Sequence, residues 1–135
     1  MPPDSVVRCE TMVVMSGSAA IDLNADLGES EGDLLLMAVV TSANIACGGH
    51  AGSPSTMARA IEAACAHGVA IGAHPSYLDQ DGFGRRELGL APGLIARQVA
   101  EQVATLQELA GARARRVAYL KCHGALYHRA GRDRE

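Results

Sequence analysis

The sequence predicts an α/β fold made of parallel β/α units, and two patterns support this prediction. After residue 20, short β-prone segments alternate four times with segments of helical periodicity, as in a parallel sheet covered by helices. The β-prone segments are runs of apolar residues, typical of strands that are covered on both faces. The length of 135 residues suits one domain, placed here at residues 20–135, after a loosely ordered leader at residues 1–19.

The first half of the domain contains two predicted strands and two predicted helices. The strands lie at residues 21–23 and 42–46, with a short buried helix between them at residues 34–40. The second helix begins at Ser53 and Pro54, because serine caps free amides and proline is preorganised for the first helical position. It ends at Gly68, since glycine is the residue type favoured just past a helix end.

The second half repeats this arrangement. Strands are predicted at residues 69–73 and 117–120, and a long polar loop follows the first of them. Pro92 opens a helix that ends at Gly111. The apolar stripe of this helix comprises Ile95, Val99, Val103, Leu106 and Ala110. A shorter helical segment follows the fourth strand.

The composition argues against several classes of partner. The formal net charge is −3 and aromatic residues make up only 3% of the chain, which argues against a nucleic-acid partner. The longest strongly apolar run, residues 34–40, is too short to cross a membrane. The four cysteines, Cys9, Cys47, Cys65 and Cys122, have neither zinc-finger spacing nor close pairing, so we predict thiols in a reducing cytoplasm.

Residues capable of acid–base chemistry follow each predicted strand. They are Asn24, Asp26 and Glu29 after the first strand, His50 after the second, His74 after the third, and Lys121 and His123 after the fourth. Since the carboxyl ends of parallel strands form the ligand face of α/β folds, we expect these side chains to meet at one site. No role in the site is assigned to His67 or His128.

A divalent metal site is an alternative use of the same residues. Asp26, His50, His74 and His123 are ligand types that suit zinc or a similar ion. No two of the histidines have HxH or HxxxH spacing, so the spacing does not support a metal geometry. We therefore predict no metal ligand.

Four motifs that together cover about residues 20–128 resemble the LamB/YcsF family. The first two read IDLNADLGE at residues 21–29 and TSANIACGGHAG at residues 41–52. The third combines GAHPSY at residues 72–77 with GFGRR at residues 82–86, and the fourth combines Lys121 with HGALY at residues 123–127. Cys122 stands where the family usually has proline, and Ser53 where it usually has aspartate.

The resemblance implies a distorted parallel β/α barrel, akin to glycoside hydrolases and polysaccharide deacetylases of carbohydrate metabolism. It also implies an ATP-dependent cyclic amide hydrolase, 5-oxoprolinase, which converts 5-oxoproline to L-glutamate with ATP and Mg²⁺. This enzyme would act as a complex with subunits B and C. Such barrels have about 250 residues, so the chain is expected to be the N-terminal part of one barrel, truncated after about four strands and inactive alone.

The same hypothesis gives each candidate residue a role. Asp26 and one of the three histidines at the strand ends serve as general base and general acid for the attacking water. Lys121 and Arg85 hold carboxylate or phosphate oxygens of the substrates. Asn24 or Asn44 orients the amide.

Two alternatives to this function remain open. One is a metal-dependent hydrolase similar to sugar deacetylases, which would use the histidines and aspartate as ligands. The other is an inactive half-barrel that only binds partner subunits. The chain contains no GxxxxGK[ST] motif, so a P-loop does not hold the nucleotide.

Overall fold

The computed structural model describes residues 20–133 and shows one four-stranded parallel sheet. The strands are β1 (Asn24–Leu27), β2 (Ser42–Ala46), β3 (Ala70–His74) and β4 (Tyr119–Leu120), and they lie side by side in that order. A 3₁₀ helix (Asp33–Ala38) follows β1, and the later strands are followed by α1 (Pro54–His67), α2 (Pro92–Gly111) and α3 (Gly124–Arg132). The sheet is open, with β1 and β4 at its edges, and the predicted α/β fold of parallel units is confirmed. The predicted leader lies outside the described residues.

The main hydrophobic core lies between one face of the sheet and helices α1 and α2. Its buried side chains include Leu27, Ala43, Ile45, Ile71 and Ala73 from the strands, and Met57, Ile61, Ala64, Leu106 and Ala110 from the helices. Burying each of the larger aliphatic side chains contributes about 1.5–3 kcal/mol. The helices therefore anchor the sheet from one side and hold the strand ends in place.

The opposite face of the sheet is polar, which corrects the prediction of strands that are apolar on both faces. Asn24 Nδ2 donates hydrogen bonds to Ser42 Oγ (2.7 Å) and Tyr119 Oη (2.9 Å). Asn44 Nδ2 donates to Asp26 Oδ1 (2.8 Å). These contacts offset the cost of removing polar groups from water. An amphipathic sheet with helices packed on its apolar face fits the wall of a β/α barrel.

The first strand begins three residues later than predicted. Residues 21–23 precede β1, and Ile21 and Leu23 are 87% and 54% exposed. Asp22 accepts hydrogen bonds from the hydroxyls of Thr41 and Ser42 instead of lying within the sheet. The apolar residues were a misleading signal here, because the inner face of β1 carries the polar side chains Asn24 and Asp26.

Two further elements differ from the prediction. The short buried helix expected at residues 34–40 is the 3₁₀ helix, in which Leu35 is 82% exposed and only Met37 is fully buried. The fourth strand, expected at residues 117–120, is confined to Tyr119–Leu120 at the edge of the sheet.

Helices α1 and α2 begin and end as predicted. The Ser53 hydroxyl accepts a hydrogen bond from the Thr56 amide, and the Thr56 hydroxyl accepts one from the Ser53 amide, which forms a capping box. Gly68 ends α1 in the left-handed conformation, with φ of 68°. Within residues 20–133, none of the helices combines the length and apolarity needed to cross a bilayer.

Candidate active site

The side chains that follow the four strands meet at the carboxyl edge of the sheet, as predicted. Glu29, His50, His74 and His123 each present one nitrogen or oxygen atom to a common centre, and these atoms lie within 4.8 Å of one another. The side chains of His50 and His74 are fully buried, whereas that of Glu29 is 19% exposed. The cluster therefore opens to solvent on the side of its carboxylate.

The loop after β1 holds Glu29 in place. The Asp33 carboxylate accepts hydrogen bonds from the backbone amides of Gly28 (3.1 Å), Glu29 (2.8 Å) and Ser30 (3.0 Å). Gly28 has φ of 77°, a conformation that glycine adopts without the steric cost of a side chain. This tight turn brings Glu29 Oε1 to 2.7 Å from His50 Nε2.

His50 enters the cluster from the glycine-rich loop after β2. Its ring is stacked on that of His123, with centroids 3.6 Å apart and planes inclined by 7°. The Phe83 ring packs edge-on against both imidazoles. Gly84 passes so close that a Cβ there would lie 2.9 Å from His50 Cβ. His50 Nδ1 lies 3.0 Å from Ser76 Oγ, which fixes the orientation of the ring.

His74 and His123 face each other across the cluster. His74 is the last residue of β3, and its Nε2 lies 3.1 Å from His123 Nδ1. The opposite nitrogens contact backbone carbonyl oxygens: His74 Nδ1 contacts Lys121 O (2.7 Å), and His123 Nε2 contacts Phe83 O (2.8 Å). Since a carbonyl oxygen only accepts, these outer nitrogens carry the protons.

Asp26 lies beside this cluster and connects it to Lys121. Lys121 Nζ donates to both carboxylate oxygens of Asp26, at 3.0 and 3.3 Å. Asp26 Oδ2 is also 3.4 Å from His74 Nε2. With a proton on Nε2, His74 donates to Asp26, and this contact is the main cause that holds the pKa of Asp26 well below its usual range. Asn44 and Lys121 lower it further, against the effect of burial. Asp26 is thus ionised at neutral pH.

Glu29 and His123 also have lowered pKa values. With a proton on Nε2, His50 donates to Glu29, and this contact is the main cause that lowers the pKa of Glu29, so this carboxylate is also ionised at neutral pH. Burial lowers the pKa of His123. Burial also raises the pKa of the neighbouring Cys47 thiol to about 11, which makes it a poor nucleophile.

Most of the predicted site residues lie together, and Arg85 lies apart. The group that meets at the carboxyl edge comprises Asp26, His50, His74, His123 and Lys121. Asn24 does not follow the first strand as predicted but is the first residue of β1, and Asn44 lies in the middle of β2. Both lie on the polar face of the sheet and connect to the group through the hydrogen bond from Asn44 to Asp26. Arg85 is exposed, with its guanidinium carbon 5.1 Å from the centroid of the Phe83 ring. It lines a separate cavity of about 480 Å³ together with Glu87 and His128. Its predicted role in substrate binding stays a prediction.

Glu29 is the residue that the predicted catalytic set omits. It contacts all three histidines, at 2.7 Å from His50 Nε2, 3.4 Å from His74 Nε2 and 3.6 Å from His123 Nδ1. Its position after the first strand was a usable signal, because the other members of the cluster also follow strands. Its place in a polar turn concealed that signal, since turns favour polar residues for local reasons.

The family model and the relatives that match this chain point to one family. Residues 21–135 match the model of the LamB/YcsF family. The chain is 51% identical over 119 residues to the A subunit of a 5-oxoprolinase from Streptomyces avermitilis, and 49% identical over 120 residues to that of Bordetella pertussis. Each alignment covers 84% of this chain and 48% of the relative.

A solved structure agrees with the sequence relatives. The crystal structure of a lactam utilization protein from Thermus thermophilus matches with a TM-score of 0.80 and 42% identity, over 83% of this chain and 48% of that one. The chain thus spans about half the length of the curated relatives it matches, which agrees with the open sheet of a partial barrel. On the family match and these identities, the chain belongs to the LamB/YcsF family.

Proposed function

We propose that this chain supplies part of the active site of an ATP-dependent 5-oxoprolinase, within the component that corresponds to the A subunit of its relatives. The observation that carries the proposal is the cluster of three imidazoles and two carboxylates at the carboxyl edge of the sheet. The substrate is proposed from the relatives, which are named as A subunits of 5-oxoprolinase, and from the structural relative, which is named for lactam utilization.

The proposed reaction opens the ring of 5-oxoproline to L-glutamate. A lactam is stable to water, so ATP, with Mg²⁺, would first phosphorylate the carbonyl oxygen and make the ring carbon electrophilic. Water then adds to this carbon and the carbon–nitrogen bond breaks, which gives γ-glutamyl phosphate. A second water hydrolyses this acyl phosphate to glutamate and phosphate. The released nitrogen takes a proton and becomes the amino group of glutamate. The site must therefore remove one proton from water and supply one to nitrogen.

The residues of the cluster suit these proton transfers. His123 is the best candidate for the general base, because its lowered pKa keeps the imidazole neutral and its Nδ1 faces the centre of the cluster. Asp26 would orient the attacking water, or it would serve with His123 as the second member of the acid–base pair. Lys121, which pairs with Asp26 and is 42% exposed, is able to hold a phosphate or carboxylate oxygen of the substrate. Asn44, whose side chain is held by its hydrogen bond to Asp26, would orient the amide of the substrate ring.

The proposed enzyme is a cytoplasmic complex of this component with subunits B and C. The described chain contributes four strands with open edges at β1 and β4, so we expect no turnover from it alone. The rival hypothesis of a metal-dependent sugar deacetylase has less support, because the relatives reported above are named for lactam chemistry.

A chimera tests the proposal directly. Residues 20–133 of this chain would replace the matching segment of the Streptomyces avermitilis relative, and the chimera would be assayed with its partner subunits, ATP and 5-oxoproline. Glutamate and ADP are measured together. We expect glutamate formation coupled to ATP hydrolysis, and His123→Ala should lower its rate by about 10²–10⁴-fold.

The matched control is His128→Ala, which removes an exposed histidine of α3 only five residues away. This control should keep the rate of the parent chimera. A folded chimera that forms no glutamate would contradict the proposed function. Equal rates in the two alanine variants would contradict the role of His123.

A further inference from the structure

We infer that Glu29, His50, His74 and His123 form a binding site for one divalent first-row transition-metal ion such as Zn²⁺. The inference differs from the sequence prediction, in which no metal ligand was assigned and Asp26 was the carboxylate of the alternative metal set. It rests on the positions of hydrogen-bond donors and acceptors around the four side chains. Binding of the ion is independent of the lactam reaction proposed above.

The first step concerns the pair formed by His74 and His123. Each ring uses one nitrogen to contact a carbonyl oxygen, of Lys121 and of Phe83 respectively, and that nitrogen must carry the proton. In the neutral rings the other two nitrogens, His74 Nε2 and His123 Nδ1, carry lone pairs. These nitrogens face each other at 3.1 Å. Two lone pairs at this distance repel unless a proton or a metal cation lies between them.

The second step concerns His50, whose tautomer follows from Ser76. The Ser76 hydroxyl has one proton, which it donates to the carbonyl oxygen of Tyr77 (2.8 Å). Ser76 Oγ therefore accepts from His50 Nδ1, at 3.0 Å. In the neutral ring His50 Nε2 then carries a lone pair, and it faces the Glu29 carboxylate at 2.7 Å. This is a second contact between two acceptors.

The distances between these acceptors suit a single metal ion. Zinc bonds to histidine nitrogen and carboxylate oxygen are about 2.0–2.2 Å, so the edges of a tetrahedral site measure about 3.3 Å. Three separations are close to this value: 3.1 Å from His74 Nε2 to His123 Nδ1, and 3.4 Å and 3.6 Å from Glu29 Oε1 to those two nitrogens. The distance from Glu29 Oε1 to His50 Nε2 is shorter, at 2.7 Å, and all four atoms lie within 4.8 Å of one another. The ion-pair partners of Glu29 among residues 20–133 are the three histidines themselves.

The surroundings of the ligands also resemble those of metal sites. Histidine ligands almost always donate their second nitrogen to a carbonyl, carboxylate or hydroxyl group, which fixes the tautomer and the ring orientation. All three imidazoles meet this condition here, through Lys121 O, Phe83 O and Ser76 Oγ. Three imidazoles and one carboxylate favour zinc or another borderline divalent ion over calcium or magnesium.

A bound metal would change the role of one residue in the proposed reaction. A histidine whose lone pair binds the ion has no lone pair left for a proton, so His123 cannot be ligand and general base at once. Asp26, whose Oδ2 is 3.4 Å from His74 Nε2, is then the carboxylate that accepts the proton. The metal site therefore revises the assignment of the base and leaves the proposed reaction unchanged.

Calorimetric titration of the metal-free, untagged chain with Zn²⁺ tests the inference. We expect one ion per chain, and visible absorption bands of tetrahedral Co²⁺ when cobalt replaces zinc. His74→Ala and Glu29→Gln should each weaken binding, by at least about 100-fold for the histidine, because loss of an outer-shell partner alone typically costs 10–100-fold. Ser76→Ala, which removes the hydroxyl that contacts His50 and Tyr77 but leaves all four ligands, should weaken binding by about 10-fold. The control His67→Ala removes an exposed histidine at the end of α1 and should bind as the parent does.

Circular dichroism of each sample keeps the result interpretable. A folded chain that takes up no stoichiometric zinc would overturn the inference, and so would an unfolded chain that zinc does not fold. Binding that survives in His74→Ala but is lost in His67→Ala would place the ion elsewhere and would also overturn it. If zinc binds while the chimera forms no glutamate, the metal site stands and the proposed function fails. If the chimera forms glutamate but the folded chain takes up no zinc, the proposed function stands and the metal site fails.

Discussion

Gln102 is expected to be the most sensitive polar residue of helix α2 outside the site. Its side chain accepts a hydrogen bond from the Ser76 amide (3.1 Å) and donates one to the Ser76 carbonyl oxygen (2.8 Å). Both partners are buried, so Gln102→Leu leaves two backbone groups without partners. Each such group costs about 1–3 kcal/mol, and leucine regains part of this through apolar burial, so we expect a net loss of roughly 2–4 kcal/mol in unfolding free energy.

Urea unfolding of the chain measures this loss. With a slope of about 2 kcal/mol per molar urea, the midpoint should fall by about 1–2 M while the slope stays unchanged. Gln98→Leu, one turn earlier on the same helix and only half-buried, is the matched control and should change stability by no more than about 0.5 kcal/mol. Equal midpoints for the two variants would refute the view that Gln102 ties α2 to the loop after β3.

Three further changes test separate parts of the structure. Gly72→Ala places a methyl group against the Tyr119 ring, so thermal melting should show a loss of about 1–3 kcal/mol in unfolding free energy. An unchanged melting temperature would contradict the close packing of Gly72 in β3 against Tyr119 in β4. The side-chain hydrogen bond from Arg86 lowers the pKa of Asp79, so this pair should stabilise the fold at pH values above the ordinary aspartate pKa and lose its effect as pH falls. Asp79→Asn should therefore flatten the acid side of a plot of unfolding free energy against pH. A plot parallel to that of the parent would contradict the stabilising effect of the pair. Arg85→Ala should change stability by less than about 0.5 kcal/mol and raise a KM of the chimera; the reverse pattern would make this arginine structural.

Local signals predicted the helices well. The bounds of α1 follow from contacts within a few residues, since Ser53 caps its first turn and Gly68 takes the left-handed conformation at its end. Strand β2 was also predicted in full, because all of its residues are buried and its neighbours on both sides are strands. An element can be predicted from a single sequence when its bounds depend on neighbouring residues, as for α1, or when all of its residues are buried, as for β2.

The features that could not be predicted depend on pairing between segments that are distant in sequence. β1 was misplaced because its position depends on the register of Asn24 and Asp26 against β2, which no local pattern reveals. The convergence of the three histidines was predictable from the rule that parallel strands end at the same edge. Their tautomers and the contact of Glu29 with all three were not, because they depend on carbonyl and hydroxyl groups of Lys121, Phe83 and Ser76, which lie far from their partners in sequence.

The central claim is that the ends of the four strands build one site in which the hydrogen bonds of each histidine set its tautomer. Nitrogen-15 spectra of the histidine side chains in the metal-free chain, recorded at mildly alkaline pH, test it most directly. The structure requires a fixed proton on Nδ1 of His50 and His74 and on Nε2 of His123, whereas the exposed His67 and His128 should average between tautomers. Averaged signals from all five histidines, or the opposite tautomer at His123, would contradict the account.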